Sequence, residues 1–220
     1  MTELAAQLLE SPMAPQIIQQ VQAVLNDEHK RRQAFYEWMD DDMKAEFING
    51  EIVVHSPALH RHNKAVMLLG RLVSTFVDVH DLGIALVEKT LVELTRNSYE
   101  PDIVFFGKEK AVDLEPDQLY YPAPDLIVEV LSKSTQQNDR GVKFEDYAAH
   151  NVTEYWLVDP VRETIETFTI DADTSNYAAT GLFRVGQSIS SQVISGFAVP
   201  VKAVFDAGAN VTALRALLTA

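Results

Sequence analysis

The sequence predicts an α/β protein whose core is a mixed β-sheet flanked by helices, and three stretches carry that prediction. Residues 125–158 read as strand, helix, strand, the pattern of a right-handed βαβ crossover between parallel strands. Residues 44–55 form two strand-like runs around Asn49-Gly50, the strongest short-range hairpin signal, and 154–170 read as a second hairpin. A long run with helical apolar spacing, 59–80, supplies a helix able to cover one sheet face.

Each element follows in order. Residues 1–42 are helical in pattern, with Leu4, Leu8, Ile17, Val21, Val24 and Leu25 at helix-like intervals interrupted by Pro12 and Pro15. This gives an N-terminal helical extension over 1–32, suited to a partner or dimer surface, ahead of one domain over 33–220. In the hairpin a two-residue turn sets Ile48 opposite Glu51 and Glu46 opposite Val53. Val66, Leu69, Val73, Phe76 and Val77 line the core face of the 59–80 helix, which Asp81-Leu82-Gly83 closes. Ile84–Leu94 is β-like, and Tyr99–Phe106 reads as one strand announced by Pro101-Asp102. Then come the strand at 125–132, a helix over Gln136–His150 ended by Asn151, a strand over Glu154–Val158, and a turn at Asp159-Pro160. Thr164–Ile170 pairs back on that strand. Short β segments at 186–205 and a helix at Asn210–Leu218 complete the chain.

Composition bounds the function. The 220 residues suffice for one sizeable core, and 47% apolar with 23% charged residues is ordinary for a folded globular protein. Cysteine is absent, which excludes disulfides and thiolate metal sites. No run reaches the roughly 18 apolar residues of a membrane span and Met1–Glu10 lacks a signal peptide's pattern, so the cytoplasm and no membrane are the expectation. With 18 basic against 32 acidic residues the formal charge is −14, which argues against general affinity for phosphate backbones. A local basic patch or a bound divalent ion could still reverse the potential at one cleft.

The chemistry concentrates in Pro124–Ser132. Its aliphatic run reads as a central strand buried on both faces, yet it carries Glu129, whose ionised form costs roughly several kcal/mol there without a cation or donor. Alternation puts Asp125, Ile127, Glu129 and Leu131 on one face. Asp102, at the start of the preceding strand, can meet Glu129 across about 5 Å, with the Val130 carbonyl as a further oxygen ligand; such a set suits a hard divalent metal. Lys143, four residues after Asp139 and four before Tyr147, offers a positive charge from the next helix. Structural readings stand beside these. Glu129 could be half of a buried ion pair, Asp102 and Asp125 could cap turns, and Lys143 or Glu46 could be solvated. His60 and His62 invite a metal-ligand reading, but with only Arg61 between them and a helix about to begin, a surface or helix-start role suits them better; Tyr155 and Trp156 suit packing, and Asp40-Asp41-Asp42 suits a solvated face.

Glu46-Phe47-Ile48-Asn49-Gly50-Glu51, Pro101-Asp102-Ile103, Pro124–Thr135, Asp139, Lys143, Tyr147 and Glu154–Pro160 together resemble the Uma-two family of the PD-(D/E)XK, or restriction-endonuclease-like, superfamily, over about residues 33–207. The resemblance implies a restriction-endonuclease-like fold with β-hairpin additions, and an endonuclease that hydrolyses DNA phosphodiesters. It further implies Mg²⁺ (or Mn²⁺) held by Asp102 and Glu129 and catalytic roles for Glu46 and Lys143; strand and helix positions add the Val130 carbonyl as a ligand and Asp125, Lys133 and Tyr147 as supporting candidates. The chain departs from the superfamily pattern at Leu131, which stands where a lysine usually follows the Glu by two residues. Lys143 from the helix, or Lys133 on the parity of Glu129, must supply that charge. The alternative is a catalytically inactive nuclease-like fold acting as a nucleic-acid-binding or protein-interaction module, and a third reading is an acidic scaffold assembling through residues 1–42. A homodimer is the oligomer expected of a nuclease that cuts both strands.

Overall fold

The computed structural model describes residues 3–40, 43–171 and 174–219, so two residues of the 40–42 acidic run, Asp41 and Asp42, lie outside it. Helices α1 (Glu3–Leu9) and α2 (Ala14–Trp38) precede the hairpin β1 (Ala45–Ile48) and β2 (Glu51–Val54), followed by the long α3 (His60–Val79). Pro15 lies in the first turn of α2, where its missing N–H costs nothing. The hairpin turn has φ of 50° at Asn49 and 85° at Gly50, and the register pairs Glu46 with Val53 and Ile48 with Glu51.

Four short strands come next: β3 (Gly83–Val87), β4 (Leu91–Glu93), β5 (Ser98–Tyr99) and β6 (Ile103–Gly107). The single strand expected over 99–106 is therefore two, in different sheets. Pro101 interrupts the ladder because it has no N–H to donate, and the chain crosses between sheets at Pro101-Asp102. After α4 (Lys108–Ala111) and β7 (Tyr120–Tyr121) comes β8 (Leu126–Val130), buried at every position. The helix expected over 136–150 is also broken, into α5 (Gln136–Asp139) and α6 (Val142–Ala149). Gly141 makes the break, and a Cβ there would approach the Gln137 carbonyl oxygen to 2.9 Å. Asn151 ends α6 as expected, with a left-handed φ of 59° while the Val152 amide returns to the Tyr147 carbonyl.

The chain closes with β9 (Glu154–Asp159), β10 (Thr164–Asp171), β11 (Asn176–Arg184), β12 (Ser188–Ser190), β13 (Ala198–Pro200), α7 (Lys202–Phe205) and α8 (Ala207–Leu217). The main sheet has the order β11-β10-β9-β8-β6-β3, with β8 and β9 parallel and the other pairs antiparallel. The expected mixed sheet and βαβ crossover are both present. A second sheet, β2-β1-β5-β4-β7, takes the N-terminal hairpin, and β12-β13 form a small ribbon.

Alternation along β8 divides the core. Leu126, Val128 and Val130 face a cluster built with α3, α7 and α8 (Leu69, Val73, Val204, Ala213) and with Phe197, just before the last strand. Ile127 and Leu131 face the opposite cluster with Tyr99, Tyr147, Tyr155 and Leu157, where α6 and the second sheet meet the main one. Glu129 has the parity of Ile127, so the fold delivers its carboxylate into the seam between the two sheets. The second half of α2 runs unbroken across position 32 and docks on the second sheet: Arg32 donates to the Leu94 carbonyl at 2.7 Å and Arg31 to that of Gly50 at 2.7 Å.

Candidate active site

Two β elements and one helix converge on the seam. The β6–β8 register sets Ile103 opposite Val128, so Asp102, one residue before β6, lies beside Glu129 at the end of β8. Asp102 is pinned there because the Val130 amide donates to its Oδ2 at 2.7 Å. From the second sheet, β1 directs Glu46 into the same seam, where its Oε1 accepts the Glu100 amide at 3.0 Å. From α6, Lys143 reaches between the sheets with only 2% of its surface exposed. Its Nζ lies 2.7 Å from Glu46 Oε1, 2.9 Å from Glu129 Oε1 and 3.4 Å from Asp139 Oδ1. Tyr147, one turn on, donates to the same Glu129 oxygen at 3.0 Å.

One ammonium among three buried carboxylates cannot neutralise all of them. Burial disfavours the charge on Glu46, but Lys143 and His55 outweigh it and hold that carboxyl at about 2. Burial pushes Glu129 well up, helped by Asp139, Asp102 and Glu46, and Lys143 does not compensate. Asp139 rises for the same reason, and neither Lys143 nor Thr135 compensates its burial. Lys143 is buried too, yet Glu129, Glu46 and Asp139 keep it charged far up the scale. Glu100 adds to the surplus, with burial raising it to about 7.

A second cation group lies on the Asp102 side. Lys44, just before β1, places Nζ 2.7 Å from Glu88 Oε2 and 3.3 Å from Asp102 Oδ1. His62, on the first turn of α3, brings Nε2 to 3.3 Å from that same Asp102 oxygen. Burial opposes ionisation of Asp102, but His62 and Lys44 prevail and hold its carboxyl low. His62, Glu88 and Asp102 each bring one ligand atom to within 4.8 Å of the others, which suits a divalent ion. Asp102, Glu129, Lys143, Lys44 and His62 line one cleft of about 1400 Å³, with Arg61 and Lys133 also on its wall.

Glu46, Asp102, Glu129, Lys143 and Tyr147 thus meet at one seam, where the Val130 amide holds Asp102. Two expected supporters do not. Asp125 stands at the other end of β8, where its Oδ2 accepts the Gly107 amide at 2.7 Å and its Oδ1 meets Lys110 at 2.8 Å; it fastens the β6–α4 turn. Lys133 follows the end of β8, so strand parity no longer governs it, and it is exposed on the cleft wall. Asp139 and Lys143 were expected on one helix and lie on two, though the α5–α6 break preserves their contact. Sequence reasoning missed Lys44, His55, Glu88 and Glu100, and it placed His62 at a helix start rather than beside Asp102. For His62 a signal existed: it precedes Val66 and Leu69 by four and seven residues and so shares the inward face of α3. Glu88 had none, since its approach follows from a loop whose φ values at Glu88 and Lys89 are 61° and 49°.

A mixed sheet with helices on both sides, opened at a seam that gathers acidic residues and a lysine, is the architecture of restriction-endonuclease-like proteins. The chain belongs to the Uma2 family, described as "Putative restriction endonuclease", whose profile matches residues 32–202. It is similar to the crystal structure of "a putative nuclease belonging to DUF820" from Anabaena variabilis, with a TM-score of 0.67 at 18% identity, over 78% of this chain and 94% of that one. It is also 30% identical over 127 residues to the uncharacterized protein sll1609 of Synechocystis sp., covering 57% of this chain and 71% of that protein. No helix among the described residues is long and apolar enough to cross a membrane.

Proposed function

We propose that the protein is a divalent-metal-dependent endonuclease that hydrolyses phosphodiester bonds of DNA. The observation that carries this reading is the buried Lys143 ammonium set among Glu46, Glu129 and Asp139 beside Asp102, on a cleft wide enough for a nucleotide. Buried carboxylates there outnumber ammonium groups, and a cation of higher charge balances them. Asp102 and Glu129 would hold Mg²⁺ or Mn²⁺ with the Val130 carbonyl. Bound there, the ion supplies Lewis-acid polarisation of the phosphate and acidifies a water.

The chain's own groups do the rest. Lys143 steadies negative charge developing on the phosphate and keeps Glu46 ionised, standing in for the lysine that Leu131 replaces. Glu46, with its carboxyl at about 2, is too weak a base to take a proton at neutral pH and serves to hold Lys143 in place. Tyr147 fixes the Glu129 carboxyl through Oε1. In the reaction the water oxygen bonds to phosphorus as the bond to the leaving sugar oxygen breaks, and the water's protons pass to that oxygen and to solvent. Pairing of two copies through the exposed apolar residues of α1 and α2, Leu4, Ile18, Val21 and Val24 among them, would place two such clefts for two strands.

The test is cleavage of single-stranded, double-stranded and branched DNA with Mg²⁺ or Mn²⁺ against a chelator control. Wild type is expected to cut only with the ion and Glu129→Gln not at all. Indistinguishable wild type and variant would remove the enzymatic reading, and the inactive binding module would take its place.

A further inference from the structure

A second cavity, of about 750 Å³, opens beside the cleft and has no part in the chemistry above. It lies on the β10–β11 ladder, where Thr164 pairs with Arg184 and Glu166 with Leu182, so alternation turns these four side chains to one face. Arg140, in the link between α5 and α6, grips Glu166 through both terminal guanidinium nitrogens. That pair is neutral as a unit and braces the helix link against β10. Of the other charged groups on the cavity wall, Arg162 and Arg184 face the single carboxylate of Glu163. The wall therefore carries a positive surplus on a chain whose formal charge is −14. Arg162 is the residue the cavity shares with the cleft, and it sits in the turn between β9 and β10. Asp159 Oδ1 holds that turn by accepting the amides of Val161 at 2.8 Å and Arg162 at 2.9 Å. Its tip stands in solvent. The Arg162 side chain is 77% exposed, and its guanidinium comes no nearer than 3.8 Å to Asp159 Oδ2, a weak pair that leaves its charge available.

We propose that the β9–β10 turn is a DNA-contacting ridge: a strand leaving the cleft crosses it into the second cavity, where Arg162 and Arg184 each hold one of its phosphates. On an acidic surface a polyanion follows the positive side chains, and here they continue from Arg61 and Lys133 on the cleft wall through Arg162 to Arg184. A guanidinium offers paired donors that match two phosphate oxygens, which an ammonium does not. Contacts of this kind fix the position of the strand and carry no base information, so the ridge contributes affinity and register rather than sequence choice. The inference rests on the reading of the cleft as the place where DNA is cut, and it extends the bound length of DNA beyond that cleft.

The experiment reads binding of single-stranded and duplex DNA by fluorescence anisotropy with Ca²⁺ as the ion, and places the DNA by photo-crosslinking. The chain has no cysteine, so Val185→Cys supplies a unique thiol on the cavity wall for an aryl azide. Melting without DNA checks the fold of each variant. Arg162→Ala and Arg184→Ala should each weaken binding about fivefold and lower the salt slope by about one. Glu163→Gln should tighten binding about threefold, a gain that damage to the fold does not produce. Arg215→Ala, on the exposed side of α8, should change neither affinity nor slope. The azide at position 185 should form an adduct with DNA, and one carried by Thr212→Cys on α8 should not. If Arg184→Ala and Glu163→Gln bind as wild type does and position 185 gives no adduct while wild type cuts DNA, the ridge falls and the nuclease reading stands. If those variants and the adduct behave as expected but wild type cuts nothing with Mg²⁺ or Mn²⁺, the ridge stands and the nuclease reading falls. No DNA bound with Ca²⁺ and none cut with Mg²⁺ or Mn²⁺ overturns both.

Discussion

Glu46 and Glu129 share Lys143, yet neutralising each has opposite consequences. The Glu46 carboxyl drops from its ordinary 4.5 to about 2, so its stabilisation is present above about pH 4.5 and lost as pH falls toward 2. Glu46→Gln should therefore cost about 3 kcal/mol at pH 7 and flatten the acid limb of the stability curve, read by urea unfolding across that window. Glu129 is raised, so its contribution is present below the unfolded value and lost as pH rises through the folded one. At pH 7 its ionised form is a strain on the fold. Glu129→Gln keeps the acceptor for Lys143 and Tyr147 and should raise the melting temperature while abolishing Mg²⁺-dependent cleavage. A lower melting temperature would show that Glu129 is a stabilising ion-pair partner. Lys143→Met removes the ammonium that Glu46, Glu129 and Asp139 share and should cost about 3–5 kcal/mol.

At the scale of elements, α2 is held to the second sheet by Phe35, buried against Ala45, Phe47 and Leu91, and by polar contacts along its second half. Arg96 grips Glu28 in a two-pronged pair at 2.7 and 2.8 Å, and Arg31 and Arg32 donate to the backbone of Gly50 and Leu94. The Arg96 hydrogen bonds hold the Glu28 carboxyl below its usual range, so this docking strengthens above the ordinary carboxylate range and weakens as pH falls through it. Arg96 is half exposed, and solvent screening limits the pair to about 1 kcal/mol. Arg96→Ala should speed amide exchange in α2 without changing exchange in β8 or β9. Equal protection in wild type and variant would show that the Phe35 packing and the backbone contacts of Arg31 and Arg32 suffice.

For the molecule as a whole, a charge of −14 opposes a polyanion everywhere except where positive side chains are gathered. Arg61, Lys133 and Arg162 on the cleft wall are exposed cations of that kind. With Ca²⁺ as the ion, DNA binding read by fluorescence anisotropy should weaken for Arg61→Glu and Lys133→Glu, and the salt slope should fall by about one per lost phosphate contact. Lys30→Glu, on the exposed side of α2, should change neither. Equal effects of all three would place the DNA elsewhere.

What was legible in the sequence was local in origin. Asn49-Gly50 determined a turn and with it the register that sends Glu46 inward, because two adjacent left-handed residues admit few alternatives. The aliphatic run with one carboxylate determined a buried strand at 126–130, and i, i+4 spacing determined that Lys143 and Tyr147 share a face. Only the tertiary structure decided the rest. Pro101 moves the chain from one sheet to another, Gly141 splits a helix whose pattern reads as continuous, and β11 pairs without a strong signal of its own. Above all, the sequence alone did not place Lys44, His62 and Glu88 beside Asp102. Their spacing along the chain carries no common period, and they meet because two sheets and α3 close on one seam.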